Sequence, residues 1–138
     1  MTEIREQDDE HVRDFIDGII DQFGEARGQP FGWSQFAFDA VDGGERIGAI
    51  VGVRLYDWLY VEYLAVAEPA RGTGVGSRLL ERAEEHAREL ELRGIALDTF
   101  RYQAPSYYEA RGYVEHMVVP GKVPERDRIF FQKELRAG

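Results

Sequence analysis

The sequence contains no cysteine, which excludes a disulfide framework, a thiolate metal site and a cysteine nucleophile together. Any catalysis has to use oxygen, nitrogen or backbone groups. Lysine is nearly missing as well: Lys122 and Lys133 stand among 17 basic residues, against 26 acidic ones. The formal net charge of −9 argues against nucleic acid as a partner, because the phosphate backbone is held chiefly by clustered Lys and Arg. A cationic substrate suits that charge, although solubility alone would also account for it. No apolar run approaches the ~20 residues that cross a bilayer. The acidic opening "MTEIREQDDE" lacks the basic and apolar regions of a signal peptide. No membrane partner is expected, and the cytoplasm is the expected location.

What is present reads as one domain over residues 1–138, long enough to bury roughly two thirds of its unfolded surface around one core. Val12, Phe15, Ile16, Ile19, Ile20 and Phe23 recur at helical spacing, which predicts a helix over 9–23 capped by Asp8 or Asp9 and ended by Gly24. "GEARGQPFGW" follows as a loop. "SQFAFDAV" and "RIGAIVGVRLY", joined by "DGGE", predict a hairpin, and a turn at Asp57 adds "WLYVEYLAV" as a third antiparallel strand. That strand is apolar on both faces, with Leu59, Val61, Tyr63 and Ala65 expected on one and Tyr60, Leu64 and Val66 on the other. It should therefore sit centrally, covered on both sides. Val75, Leu79, Leu80, Ala83, Ala87 and Leu90 mark a further helix of about 20 residues with Gly94 as its stop. "IALDTF" should then run parallel to the third strand through a right-handed crossover. "APSYYEAR", "YVEHMVV" and "RIFFQKEL" read as a short helix and two closing strands.

Between strand and long helix lie three glycines spaced two apart, in "ARGTGVGS". A strand, a glycine turn and a helix N-terminus make an anion site: unpaired N–H groups point outward and the helix dipole adds roughly half a positive charge. Arg71 supplies a side-chain cation at the mouth, able to grip phosphate in a fork. A Walker loop would need Lys followed by Ser or Thr after the last glycine, but Gly76 is followed by Ser77 and Arg78. A Rossmann turn would place its third small residue at Ser77, one position beyond Gly76. Asp98 imitates the ribose-binding acid of such folds, so a dinucleotide turn stays open as an alternative.

"RGTGVG" (Arg71 to Gly76) resembles the pyrophosphate-binding motif of the GNAT superfamily of acetyl-CoA-dependent N-acetyltransferases, and "APSYYEARGY" is similar to the family's second motif. The order of predicted elements agrees from about residue 9 to 135. The resemblance implies a mixed α+β fold: a mostly antiparallel sheet with one parallel, splayed strand pair, flanked by helices. It also implies that the pantetheine arm of acetyl-CoA lies in the splay, pairing with the backbone of Leu64 and Val66, with Ala65 between them also among the cofactor-binding residues. The N–H groups of Gly72, Thr73, Gly74, Val75, Gly76 and Ser77 would hold the pyrophosphate, and the Leu64 N–H would support the developing oxyanion. The chain departs from the pattern twice. "TEIREQ" is short and polar where the family commonly begins with a strand, and Arg101 stands where an asparagine is usual.

Two catalytic residues are expected. Glu62 is the charged residue inside the apolar strand, where a carboxylate is costly unless paired or opened to a cleft, and partial burial there suits a general base. An arginine partner would instead make it structural. Tyr108 matches the family tyrosine that protonates the departing thiolate. Asp98, Thr99, Tyr102 and Gln103 are candidates for shaping the acceptor pocket, which His116 could also reach. His11, His86 and His116 have no metal-site spacing, and no metal is expected. The expected activity is direct transfer of an acetyl group from acetyl-CoA, as co-substrate, to a primary amine on a small molecule or protein. The alternative is a non-catalytic acyl-CoA-binding module. Dimerisation through the closing strands fits the architecture.

Overall fold

The computed structural model describes residues 1–30 and 32–135; Phe31, within the predicted loop, lies outside the described residues. The chain forms two compact units, Met1–Gly32 and Trp33–Gly138.

In the first unit, residues 1–8 form no strand. Helix α1 spans Asp9–Glu25, and the Asp8 carboxylate accepts the Glu10 N–H at 3.1 Å, satisfying one of the unpaired donors of the first turn. The helix runs one residue past Gly24, the expected stop, whose C=O accepts from the Arg27 and Gln29 N–H groups at 3.0 and 2.8 Å and so turns the chain out of the helix.

The second unit is built on a six-stranded sheet in the order β1-β2-β3-β4-β6-β5. Its strands are β1 Trp33–Asp42, β2 Glu45–Leu55, β3 Trp58–Val66, β4 Gly94–Phe100, β5 Val114–Val119 and β6 Arg128–Glu134, with helices α2 Val75–Glu89 and α3 Pro105–Glu109. Gly43 and Gly44 both take positive φ, which is why "DGGE" closes the first hairpin. All pairings are antiparallel except β3 with β4. The α2 stripe of Leu79, Leu80, Ala83 and Ala87 is buried in one core with Ile50, Leu59, Ile95, Ile129 and Phe131.

Two expectations about this unit are corrected. Helix α2 has 15 residues, ending where Leu92 turns back to donate its N–H to Ala87 C=O at 2.9 Å, with Glu91 in the left-handed region. Gly94 is not the helix stop but the first residue of β4. A Cβ there would come 2.4 Å from Lys133 C=O and 2.6 Å from the Trp58 ring, so close strand packing requires the glycine. Strand β3 also breaks the expected alternation. Its register against β2 shifts between Val51 and Gly52, leaving Glu62 as the extra residue of a bulge. As a result Leu59 and Val61 are buried, whereas Tyr63 and Ala65, expected beside them, are exposed together with Tyr60. The strand is central but not covered on both faces.

A buried polar group ties α2 to the closing strands. Glu84, 6% exposed, accepts a hydrogen bond from the Tyr113 hydroxyl at 2.8 Å and pairs with Lys133 Nζ at 3.2 Å. Burial, followed by the neighbouring Glu84 charge, pushes the Tyr113 phenol well up from its ordinary range. Glu84→Ala would leave the ammonium and the hydroxyl unpaired, and should lower stability by about 2–4 kcal/mol. Lys133 keeps contact with solvent, which holds the loss towards the lower figure. Urea denaturation with an unchanged m-value would measure it.

Candidate active site

The parallel pair β3–β4 is joined at Trp58↔Gly94, Leu59↔Ile95 and Tyr60↔Ala96 and no further. Beyond Tyr60 the strands part, while β3 continues to pair with β2 as far as Val66. The phase of that pairing follows from one bond, the Ala67 N–H donated to Ile47 C=O at 2.8 Å. Antiparallel positions alternate between bonded and non-bonded pairs. Counting back through Ala65↔Ala49 and Tyr63↔Val51, Leu64 and Val66 turn their backbone groups away from β2, towards the opening beside β4. Ala65, also expected to meet the arm, has its backbone directed to β2. Val66 C=O already accepts from Arg71 Nε at 3.1 Å.

At the end of the opening stands the N-terminus of α2. Gly72 and Gly74 have φ of 79° and 89°, and Gly74 is the N-cap. These two positions need glycine for the backbone turn, and a Cβ at either would project into space with no atom within 4 Å. Gly76 serves differently: its Cβ would lie 3.2 Å from the Tyr107 hydroxyl, so the glycine lets α3 approach α2. Among the described residues no side chain caps the helix, and no acid lies in its first turn. Its first backbone bond is Arg78 N–H to Gly74 C=O at 3.1 Å, which leaves the preceding amides as unpaired donors. The Thr73 hydroxyl is spent on Ala70 C=O. The Ser77 hydroxyl is occupied as well, accepting from Arg111 Nη2 at 2.7 Å and meeting the Tyr107 hydroxyl at 3.0 Å. A pyrophosphate therefore fits the main chain here, and Val75, Gly76 and Ser77 can reach it only through N–H groups.

On the exposed face of β3 and β4 lies a cavity of about 770 Å³ that includes Glu62. Glu62 is exposed at the bulge, so the expected partial burial is not met: the extra residue turns the side chain out of the strand's buried face. No arginine holds it, nor does any other cation among the described residues. Asp98 and His116 also line this cavity, as sequence reasoning allowed. Asp98, however, is bonded to Arg128 at 2.7 and 3.0 Å, and that hydrogen bond raises the Arg128 guanidinium above its ordinary range. Thr99 faces the core instead, its hydroxyl bonded to Gln103 Oε1 at 3.1 Å. Gln103 Oε1 also accepts the Phe100 N–H at 2.9 Å and so pins the β4–α3 corner. Tyr102 stacks on Phe100 with ring centroids 6.0 Å apart. None of Thr99, Tyr102 and Gln103 lines the cavity, because the strand's alternation and the corner's own bonds turn them elsewhere. Arg101 pairs with Asp127 at 3.2 Å.

Tyr108 is half-buried on α3, in edge contact with Tyr107 at 5.3 Å and Tyr113 at 5.9 Å. Its hydroxyl has no hydrogen-bond partner among the described residues. Burial pushes this phenol up from its ordinary range. Tyr108 is not among the residues lining the cavity of Glu62.

Sequence reasoning missed Trp58, Arg93, Arg128, Phe130 and Glu134, which line the same cavity. The even spacing of Arg128, Phe130, Gln132 and Glu134 carried a signal, since alternate residues of a strand share a face. The pairing of Arg93 with Glu134, at 3.1 Å, carried none, because these residues lie far apart in sequence.

The profile of the acetyltransferase (GNAT) family matches residues 3–113. Blasticidin-S acetyltransferase of Streptomyces morookaense is 40% identical over 93 residues, 67% of this chain and 68% of that protein. An acetyltransferase from Bacillus cereus ATCC 14579 shares the fold with a TM-score of 0.80 and 26% identity, over 96% of this chain and 97% of the other. A protein assigned as a streptothricin acetyltransferase from Bacillus anthracis, solved with acetyl coenzyme A, gives a TM-score of 0.66 and 26% identity over 72% of this chain and 62% of the other. The splayed strand pair, the uncapped glycine turn and a family profile that spans most of the sequence have one reading: the chain belongs to the GNAT acetyltransferase family.

Proposed function

We propose that this protein transfers the acetyl group of acetyl-CoA directly to the primary amine of a small cationic molecule, with no covalent enzyme intermediate. The observation that carries the reading is the continuity of unpaired donors, from the Leu64 and Val66 backbone in the opening to the amides at the start of α2. An extended thioester with a pyrophosphate at its far end matches that line of donors. Acetyl-CoA supplies the activated acetyl group.

The roles of this chain's residues follow from the chemistry of amide formation. Glu62, directly or through a water molecule, takes a proton from the substrate ammonium, leaving a lone pair free to form the N–C bond. The Leu64 N–H faces the oxygen of the acetyl carbonyl as that oxygen gains charge. When the C–S bond breaks, Tyr108 gives its proton to the sulfur and recovers one from solvent. The amine nitrogen loses its remaining excess proton to solvent. The small-molecule acceptor is supported by the blasticidin-S acetyltransferase relative and by the cavity at Glu62, which is open to solvent.

The experiment is release of free CoA from acetyl-CoA by the purified chain with a panel of amines, run beside calorimetric titration of acetyl-CoA. Binding with amine-dependent release is expected. Binding without release on any amine would leave a binding module, and absence of binding would remove the proposal altogether.

A further inference from the structure

The cavity at Glu62 has a composition that discriminates between kinds of amine. Three carboxylates line it, Glu62, Asp98 and Glu134, together with two arginines, Arg93 and Arg128. Four of these five charges are already spent on one another, in the Arg128–Asp98 pair at 2.7 Å and the Arg93–Glu134 pair at 3.1 Å. Glu62 alone among the three has no cation partner within the described residues. A second ammonium group entering this space would find no free carboxylate, since Asp98 and Glu134 are each already neutralised by an arginine, and could pair only by separating one of those pairs.

Much of the remaining wall is aromatic. Trp58, Tyr60, Tyr63, Phe100 and Phe130 line the cavity, with Tyr60 40% and Tyr63 75% exposed. Phe100 is backed by the nearly parallel ring of Tyr102, interplanar angle 13°, which fixes the plane it offers. Large aromatic side chains left open to solvent beside a single free carboxylate suit a ligand with one positive charge and a flat unsaturated body. Sugars bearing several amines, and linear polyamines, match neither feature.

Resting on the reading of this cavity as the acceptor site, we propose that the acceptor is a monocationic amine carried on a planar, aromatic or heteroaromatic body, with its ammonium at Glu62 and its ring against Tyr63 and Phe100. Selectivity then lies in Tyr63 and Phe100, while the paired carboxylates offer a polycation no second anion.

The test uses the full chain, acetyl-CoA, and 2-phenylethylamine, n-butylamine, spermidine and kanamycin as acceptors, with kcat/KM measured for each. The phenyl amine should exceed butylamine by about tenfold, the worth of one good aromatic contact, and should exceed both polycations. In Tyr63→Ala the ratio between phenylethylamine and butylamine should collapse towards unity, and Tyr63→Phe should restore it. Because the ratio is read within one variant, a loss of folded protein does not move it. Spermidine or kanamycin as the best acceptor, or a ratio unmoved by Tyr63→Ala, would overturn the inference while leaving acetyl transfer intact. Acetyl-CoA binding with no release from any of these amines would overturn it too, and failure to bind acetyl-CoA would place the error in the proposed function itself.

Discussion

Tyr108→Phe is expected to lower kcat by about 10²-fold or more, the contribution of a positioned general acid, while acetyl-CoA binds with unchanged affinity. The substitution removes only an oxygen. The ring keeps its edge contacts with Tyr107 and Tyr113 and its packing against Phe131 at 6.1 Å, and no hydrogen bond to a described residue is broken. Stability should therefore hold. A loss confined to kcat would mean that the hydroxyl acts in the transition state and not in binding. The pH profile adds a signed prediction. Burial favours the neutral phenol and raises its pKa, so the proton is lost only as pH rises through that raised value. The acid stays in its working form beyond the ordinary tyrosine value of about 10, and the alkaline fall of kcat due to this group should come later than that. In the phenylalanine variant this fall should vanish. Normal kcat for Tyr108→Phe at every pH would show that another group, or solvent, protonates the sulfur.

Glu62→Gln is expected to reduce kcat/KM by about 10²- to 10³-fold. Glutamine fills the same volume, and because no described cation is paired with Glu62, the change orphans no charge and the fold should be unaffected. Steady-state kinetics divide two roles. A base lost from the proton-transfer step lowers kcat itself, whereas a carboxylate that only attracts the ammonium raises the acceptor KM and leaves kcat alone. The second outcome would keep Glu62 in the site as a binding group and move the base elsewhere.

The parts of this protein that were legible in its sequence are local ones. The DGGE hairpin, the apolar stripe of α2 and the glycine turn from Gly72 to Gly76 are each written within a few consecutive residues, because backbone conformation and helical periodicity act over one or two turns of chain. The short helix at "APSYYEARGY" ends near Gly112, which takes φ of 90° as a stop requires. Gly94 shows where this kind of reading misleads. A glycine after a periodic helix looks like a stop, yet here the absence of a side chain serves contact with Trp58 and Lys133 from other strands.

The bulge at Glu62 was hidden for a related reason. An extra residue in one strand exists only relative to the partner strand, so the run "WLYVEYLAV" carries no mark of it, and it reverses the faces of Tyr63 and Leu64 with respect to Leu59 and Val61. By itself the sequence determined the glycine turn, the order of elements and the family, since these depend on residue type at fixed short spacing. Tertiary structure alone decided which carboxylate in the cavity stays unpaired among the described residues. Asp98 meets Arg128, and Glu134 meets Arg93, only because the pairing of β4 with β6 brings distant residues together, and electrostatic partnership follows distance in space, not position along the chain.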